Sequence, residues 1–383
     1  MKLRRILFWI HLSAGVFAGI VVLIMSLTGV LLAYRQQISR WVSRDYRVSN
    51  SEHLPLGKMI AEVRNVQGAM PSAVTLRQDA DAPAEFSFGR DRIVFVNPAT
   101  AKVIGESHKL PAFFAKVEDI HRWLGTSNEN RPVGEAVTGA CNLIFLVLLI
   151  TGPFIWWPKD WGWSSLKKIV LFRSDLRGRA LYWNWHNVLG IWCVMPLILI
   201  VLTGTVMSYA WANNLLYRLT GNEPPQQNTG QTNRAGNPNR ERAHSDAPEF
   251  EGLEKLIVHA QQQVPKWRSL TVRFPSGRGP LMLFVDEGNG GRPDLRSQFT
   301  LDPKTGEVRW ETFSSYNSGR RLRTWARFSH TGEAAGWFGE TVAASASMGA
   351  VVLVFTGLTL SIKRWLAWKA RRVKDTELSS VSS

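Results

Sequence analysis

The stretch Ile10 to Tyr34, IHLSAGVFAGIVVLIMSLTGVLLAY, carries no acid, lysine or arginine over a length that crosses a bilayer's hydrocarbon core as a helix. Lipid offers backbone amides no water to bond, so such a segment is confined to helical structure. It also recurs. His11, Gly15, Leu27, Thr28, Gly29 and Tyr34 return as His186, Gly190, Leu202, Thr203, Gly204 and Tyr209, each displaced by 175 positions. Six ungapped matches indicate a duplication.

Four segments reach spanning length: residues 6–34, 137–157, 185–211 and 341–362. The first follows Lys2, Arg4 and Arg5 as a signal peptide would. Its apolar core is too long for one, and LLAYRQQ is a poor cleavage site, so it reads as a retained anchor. Net charge is +16, which in a soluble chain would raise nucleic-acid binding, but the distribution points elsewhere. Residues 1–5, 158–184 and 363–383 hold 15 of the 46 Lys and Arg side chains and only four acids, which marks them as cytoplasmic. Both termini are therefore expected inside, with a basic loop at 158–184 and a tail at 363–383; residues 35–136 and 212–340 are expected outside. Trp9, Trp156, Trp157, Trp183, Trp185, Trp211, Trp365 and Trp368 fall at segment ends, where indoles favour the headgroup region. Cys141 and Cys193 both lie within spans, so no disulfide in the outer compartment is indicated.

An ionisable side chain inside a membrane helix is costly, and a lone histidine there usually bonds across to a neighbouring helix. Two at equivalent depth favour a cofactor held by two imidazoles. Gly15 and Gly190 lie four residues after their histidines, one turn along the same face, where they clear space for a flat macrocycle. Gly29 and Gly204 lie eighteen residues on, about five whole turns along the same stripe. Close helix packing through small residues is the competing explanation for any one of these glycines. Pro153 and Pro196 bend the second and third spans without implying chemistry.

The outer segments repeat as well. Residues 54–68 have helical periodicity and are followed by strands at 73–77, 85–88 and 92–96 and the turn Asn97 to Ala101. In the second segment residues 250–264 are helical, strands follow at 270–274, 281–285 and 298–301, and the turn is Asp302 to Gly306. The turns match at an offset of 205, as do Gly134-Glu135 with Gly339-Glu340 and Thr151-Gly152 with Thr356-Gly357. Residues 222–248, rich in Asn, Gln, Gly, Pro and Arg, form an expected mobile linker. His121 shares a helical face with Phe113, Phe114, Val117 and Leu124, the pattern of a helix lying on a membrane surface. His330 precedes the fourth span in the matching place once a four-residue gap is allowed.

HxxxG with a downstream LTG in two spans, the Asp-Pro-x-Thr-Gly turn, His-Arg-Trp before the second span and His-Thr-Gly before the fourth together resemble the PepSY-associated transmembrane family of iron-regulated inner-membrane proteins. The first turn departs from the family pattern, with Asn97 for Asp and Ala101 for Gly. The resemblance implies a membrane protein with a four-helix bundle built as a tandem repeat and two periplasmic α+β, PepSY-like lobes. It further implies two b-type haems and reduction of a ferric siderophore, of hydroxamate type, on the periplasmic side of a bacterial inner membrane.

The residues lead part of the way independently. His11 and His186 are expected as axial ligands of an inner haem, and His121 and His330 of an outer one. Gly29 and Gly204 come to the depth of the outer pair, and Gly152 and Gly357, late in the inward-running spans, to that of the inner pair. Electron transfer needs no protein acid or base, and no catalytic residue is assigned. No phosphate-binding or dinucleotide fingerprint is found, and about fifty cytoplasmic residues cannot house a flavin or nicotinamide domain, so the donor is another protein or a membrane quinol. His53, His108, His244 and His259 have no repeat partners and read as surface residues. Arg320, Arg321, Arg323 and Arg327 with Trp325 read as headgroup anchors, with an anionic ligand or a stacked chelate as the alternative. The rival classes are a non-redox regulatory membrane protein, a copper or zinc transporter and a quinol-linked b-type cytochrome. A transporter's Met-rich or Cys-rich outer segment is missing from the sequence.

Overall fold

The computed structural model describes residues 2–48, 53–158, 162–225, 252–275, 279–302 and 305–381. Residues 226–251, which take in nearly all of the expected linker and His244, lie outside the described residues, as do Pro303 and Lys304 of the second turn. Eleven described helices run α1 (Lys2–Ala33), α2 (Arg35–Ser43), α3 (Leu56–Gln67), α4 (Lys109–Trp123), α5 (Arg131–Trp156), α6 (Trp163–Val170), α7 (Gly178–Ser208), α8 (Ala210–Leu219), α9 (Leu253–Gln263), α10 (Ser318–His330) and α11 (Gly336–Val381). The strands are β1 (Ala73–Arg77), β2 (Ala84–Phe88), β3 (Arg92–Val96), β4 (Val103–Ser107), β5 (Ser269–Arg273), β6 (Leu281–Asp286), β7 (Arg296–Leu301) and β8 (Val308–Thr312). The sequence α3, four strands, α4, α5 is followed by α9, four strands, α10, α11. These elements sort into a helical unit, Met1–Ala33 with Ile120–Tyr209 and Glu340–Ser383, and a sheet unit, Tyr34–Asp119 with Ala210–Gly339.

In the helical unit, helices centred on all four expected spans are long and apolar enough to cross a membrane. Their large apolar side chains face out: Phe17, Ile20, Trp192, Met195 and Phe355 are all exposed. Small and polar residues face in, with Ala18, Ala346, Ala350, Thr28, Asn142, Thr151, Thr205 and Thr356 buried. That inversion of the water-soluble pattern suits a hydrocarbon solvent, in which helices associate by close packing and interhelical hydrogen bonds. Asn142 on α5 donates to the Val201 carbonyl at 3.1 Å and Thr205 Oγ1 at 2.9 Å on α7. The α11 backbone comes so close to α7 at Gly349 that a Cβ there would collide with Cys193 Sγ. Arg4 caps the end of α5, donating to the carbonyls of Ile155 and Trp157 at 2.5 and 2.7 Å, groups that a helix C-terminus otherwise leaves unpaired. The third span ends earlier than expected. Tyr209 is extended, with φ −121° and ψ 126°, so Trp211 belongs to α8. The repeat-equivalent Tyr34 likewise separates α1 from α2.

The sheet unit joins the strands of the two expected lobes. Its eight strands form one antiparallel sheet in the order β4-β3-β2-β1-β5-β6-β7-β8. The two halves join where β1 pairs with β5, Val74 opposite Val272 and Thr75 opposite Thr271, whose hydroxyls are 3.0 Å apart. Strand alternation sends Val74, Leu76, Phe86, Val94, Leu270, Val272, Leu283, Val285 and Phe299 to one face. Onto that face pack α3, through Leu56, Met59, Ile60 and Val63, and α9, through Leu253, Leu256, Ile257 and Ala260. Both helices use the i, i+3, i+4, i+7 spacing of an apolar stripe. The outermost strands β4 and β8 were not expected; their turns reverse the chain at Ala101 and Gly306, both left-handed at φ 59° and 69°. Ala101 holds the conformation that its glycine counterpart adopts without a Cβ penalty.

Candidate functional site

His11 lies in the first half of α1 and His186 near the start of α7. Their ring centres are 6.3 Å apart and their planes 86° from parallel. Each Nδ1 has a fixed partner. His11 Nδ1 is 2.9 Å from Thr151 Oγ1 on α5, and His186 Nδ1 is 3.0 Å from Thr356 Oγ1 and 3.1 Å from the Leu353 carbonyl on α11.

These partners determine the tautomer. A threonine hydroxyl has one proton, and Thr151 and Thr356 give theirs to the carbonyls of Val147 and Val352, each at 2.7 Å. The threonine oxygen is left as an acceptor, so each imidazole donates from Nδ1. At His186 the Leu353 carbonyl, which can only accept, requires the same assignment. Both Nε2 atoms therefore carry a lone pair, the state in which imidazole ligates a metal while its other nitrogen holds a second partner.

The spacing suits one ion between two imidazoles. With a metal–nitrogen bond of about 2 Å and roughly 1 Å more to each ring centre, such an arrangement separates the centres by roughly 6 Å. Among the described residues no group of three or more His, Cys, Asp or Glu could hold a metal ion. Two protein donors do not complete a tetrahedral zinc site, but they fit an iron whose other four positions are filled by a planar macrocycle. The donor set therefore fits haem.

The same plan is built at His121, on α4 within the helical unit. Its Nδ1 is 2.9 Å from Thr28 Oγ1, and Thr28 donates to the Ile24 carbonyl at 2.7 Å, so Nδ1 again carries the proton. His330 is the last residue of α10, in the sheet unit. Gly204 is buried in α7, and the neighbouring Thr203 donates to the Leu199 carbonyl at 2.6 Å.

The glycines divide into two kinds. A Cβ on Gly152 would lie 3.6 Å from His11 Cε1, one on Gly357 3.2 Å from His186 Cε1, and one on Gly29 3.6 Å from His121 Cε1. Each of these three seats the edge of an imidazole, a more specific part than general clearance. Around Gly15 and Gly190 there is more room: the nearest groups are methyls of Leu148 and Leu353, both at 3.9 Å. The threonines are the partners of the histidines that the sequence did not single out. Their signal was present, since Thr28, Thr151 and Thr356 each immediately precede a glycine already singled out. Of the remaining histidines, His108 pairs with Glu106 at 2.9 Å on the surface, and His259 lies against Phe299 in the sheet unit.

A family model described as PepSY-associated TM region matches residues 8–372, and the chain belongs to that family. No curated protein matches it.

Proposed function

We propose that this member of the PepSY-associated TM region family is a di-haem reductase of the bacterial inner membrane, which passes electrons from the cytoplasmic side to a periplasmic ferric siderophore and releases iron as Fe(II). The observation that carries the reading is the His11–His186 pair: two imidazoles 6.3 Å apart, with both Nδ1 protons committed to neighbouring helices. Thr151 and Thr356 hold the rings in orientation and the Nδ1 hydrogen bonds strengthen Nε2 as a donor. Gly152 and Gly357 admit the ring edges, and the open faces at Gly15 and Gly190 leave space beside them. His121, with Thr28 and Gly29, is assigned to the second haem. Bound haem supplies a one-electron Fe(III)/Fe(II) couple whose potential follows from its axial ligands and burial.

The concentration of Lys and Arg in residues 1–5, 158–184 and 363–383 supports cytoplasmic termini and a cytoplasmic loop between the second and third spans, with the sheet unit periplasmic. Length and helix plan resemble the siderophore reductase FoxB of ferrioxamine uptake, which supports a siderophore as acceptor. Hard oxygen chelators bind Fe(II) less tightly than Fe(III), so reduction releases the metal. A soluble carrier or a membrane quinol serves as donor. The test is stopped-flow mixing of the chemically reduced protein with a ferric siderophore, with a colorimetric trap for Fe(II). The expected result is haem reoxidation matched by Fe(II) appearance; reduced haem that persists in excess ferric siderophore contradicts the reading.

A further inference from the structure

The arginine run on α10 is left unexplained by the histidine site. Arg320, Arg323, Arg327 and His330 are spaced at three, four and three residues and share one stripe of the helix. Arg320 is neutralised, its two Nη atoms 3.2 and 3.1 Å from Glu311 Oε2. The next two are not held as firmly. Arg323 donates to the uncharged Asn213 amide oxygen at 3.0 Å, and Arg327 stands 4.0 Å from Glu333, beyond hydrogen-bond reach.

One strand arginine meets this stripe, and a second lies over a ring of the adjacent strand β6. Arg296 on β7 and Arg327 both lie over the Phe328 ring, at 4.9 and 4.5 Å, and Arg273 on β5 lies over Phe284 at 5.0 Å. Arg296 pairs with Asp286 at 2.7 Å. Arg273 is exposed, and among the described residues no carboxylate pairs with it. Crowding by the surrounding atoms, and then the facing Arg296 and Arg327, hold the Arg273 pKa below the usual arginine range. Four guanidiniums, those of Arg273, Arg296, Arg323 and Arg327, thus face two carboxylates, Asp286 and Glu333. Like charges gathered in this way raise the energy of the empty site and lower that of a bound anion. Arg296 is held by Asp286 and the Gly290 carbonyl, whereas the forks of Arg273 and Arg327, each over a phenyl ring, have no hydrogen-bonded carboxylate among the described residues and are open to bidentate contact with one.

We propose that Arg273, Arg296 and Arg327, with Arg323, form a binding site for a soluble multivalent carboxylate anion. Resting on the reductase reading, and because His330 ends the same stripe, the ferric chelate that this protein takes is then anionic, unlike the hydroxamate type that the family resemblance implied. A headgroup anchor is disfavoured by the placement of Arg273 and Arg296 on strands over phenyl rings, whereas snorkelling cations sit at the ends of membrane helices.

The test titrates the full chain in neutral detergent with gallium citrate, a redox-inert anionic chelate, and follows tryptophan fluorescence. Saturable binding is expected, weakened by salt, and at least about tenfold weaker in Arg273→Gln. Arg273→Lys, which keeps the charge but loses the fork, should fall between the two, and Arg309→Gln, at an exposed arginine paired with the largely buried Glu311, should bind as the parent does. Since no carboxylate among the described residues pairs with Arg273 and its charged neighbours are cations, its replacement should not lower the unfolding temperature. Equal binding by parent and Arg273→Gln, no binding by the parent, or displacement of the chelate by a trace of phosphatidylglycerol overturns the proposal. Arg273-dependent binding of gallium citrate without reduction of ferric citrate leaves the site standing and refutes the reductase reading. Reduction of ferric citrate without Arg273-dependent binding does the reverse.

Discussion

The sheet unit buries an unbroken cluster of apolar side chains, running from Leu56 on α3 to Phe299 on β7, whereas the helical unit turns Phe17, Trp192, Met195 and Phe355 outward and buries Thr28, Asn142, Thr151 and Thr356. In the sheet unit the core is a matter of stability: each buried side chain adds transfer free energy and packing, and none is asked for chemistry. The interior of the helical unit gains little from burying apolar groups, because lipid is as apolar as leucine. A polar group placed there must be partnered, and its partners show its purpose. Following that rule from His11, His186 and His121 leads each time to a threonine that has already given up its proton.

The contrast can be broken most severely at the histidines. His11→Ala or His186→Ala should lose one of two haems, halving the pyridine haemochrome count and leaving the circular dichroism of the sheet unit intact. Full retention of both haems would refute the ligand assignment. Next in size is a cavity in the other core. Phe86→Ala, at a fully buried β2 position, should destabilise the sheet unit by about 3–5 kcal/mol in a denaturant titration while the haem spectrum is unchanged. A spectral change as large as the stability change would show that the two interiors are not separately built. Thr356→Val keeps the shape but removes the acceptor at His186 Nδ1, and should weaken haem retention by about 10- to 100-fold in transfer to apomyoglobin. Retention equal to the parent would mean that the Leu353 carbonyl alone holds the ring. Smallest is Gly152→Ala, whose new methyl would sit 3.6 Å from His11 Cε1, an ordinary contact. It should leave the Soret position unchanged, whereas Gly357→Ala, at 3.2 Å from His186, should shift it.

Much of the helical unit was legible in the sequence, because an uncharged apolar stretch such as Ile10 to Tyr34 has few physical options. The histidines stood out for the same reason, being costly groups repeated at matching depth. Threonine gave less: it is common in membrane helices and bonds its own backbone, so Thr151 and Thr356 carried no visible purpose until Nδ1 of each facing histidine was placed. In the sheet unit α3 and α9 and the inner strands followed from their periodicity. Strands β4 and β8 did not, since Val103–Ser107 and Val308–Thr312 lie at the sheet's edges with mostly exposed side chains and no clean alternation. The joining of β1 to β5 left no local trace either. Each strand's alternation specifies which face is buried, but the choice of neighbour rests on a partner about 200 residues away.

The claim on which the rest depends is that the paired imidazoles hold haem. The direct measurement is a visible spectrum and pyridine haemochrome count on detergent-purified protein produced with ample haem. Two b-type haems per chain with a sharp low-spin Soret band are expected. A colourless protein, folded by circular dichroism, would contradict the account.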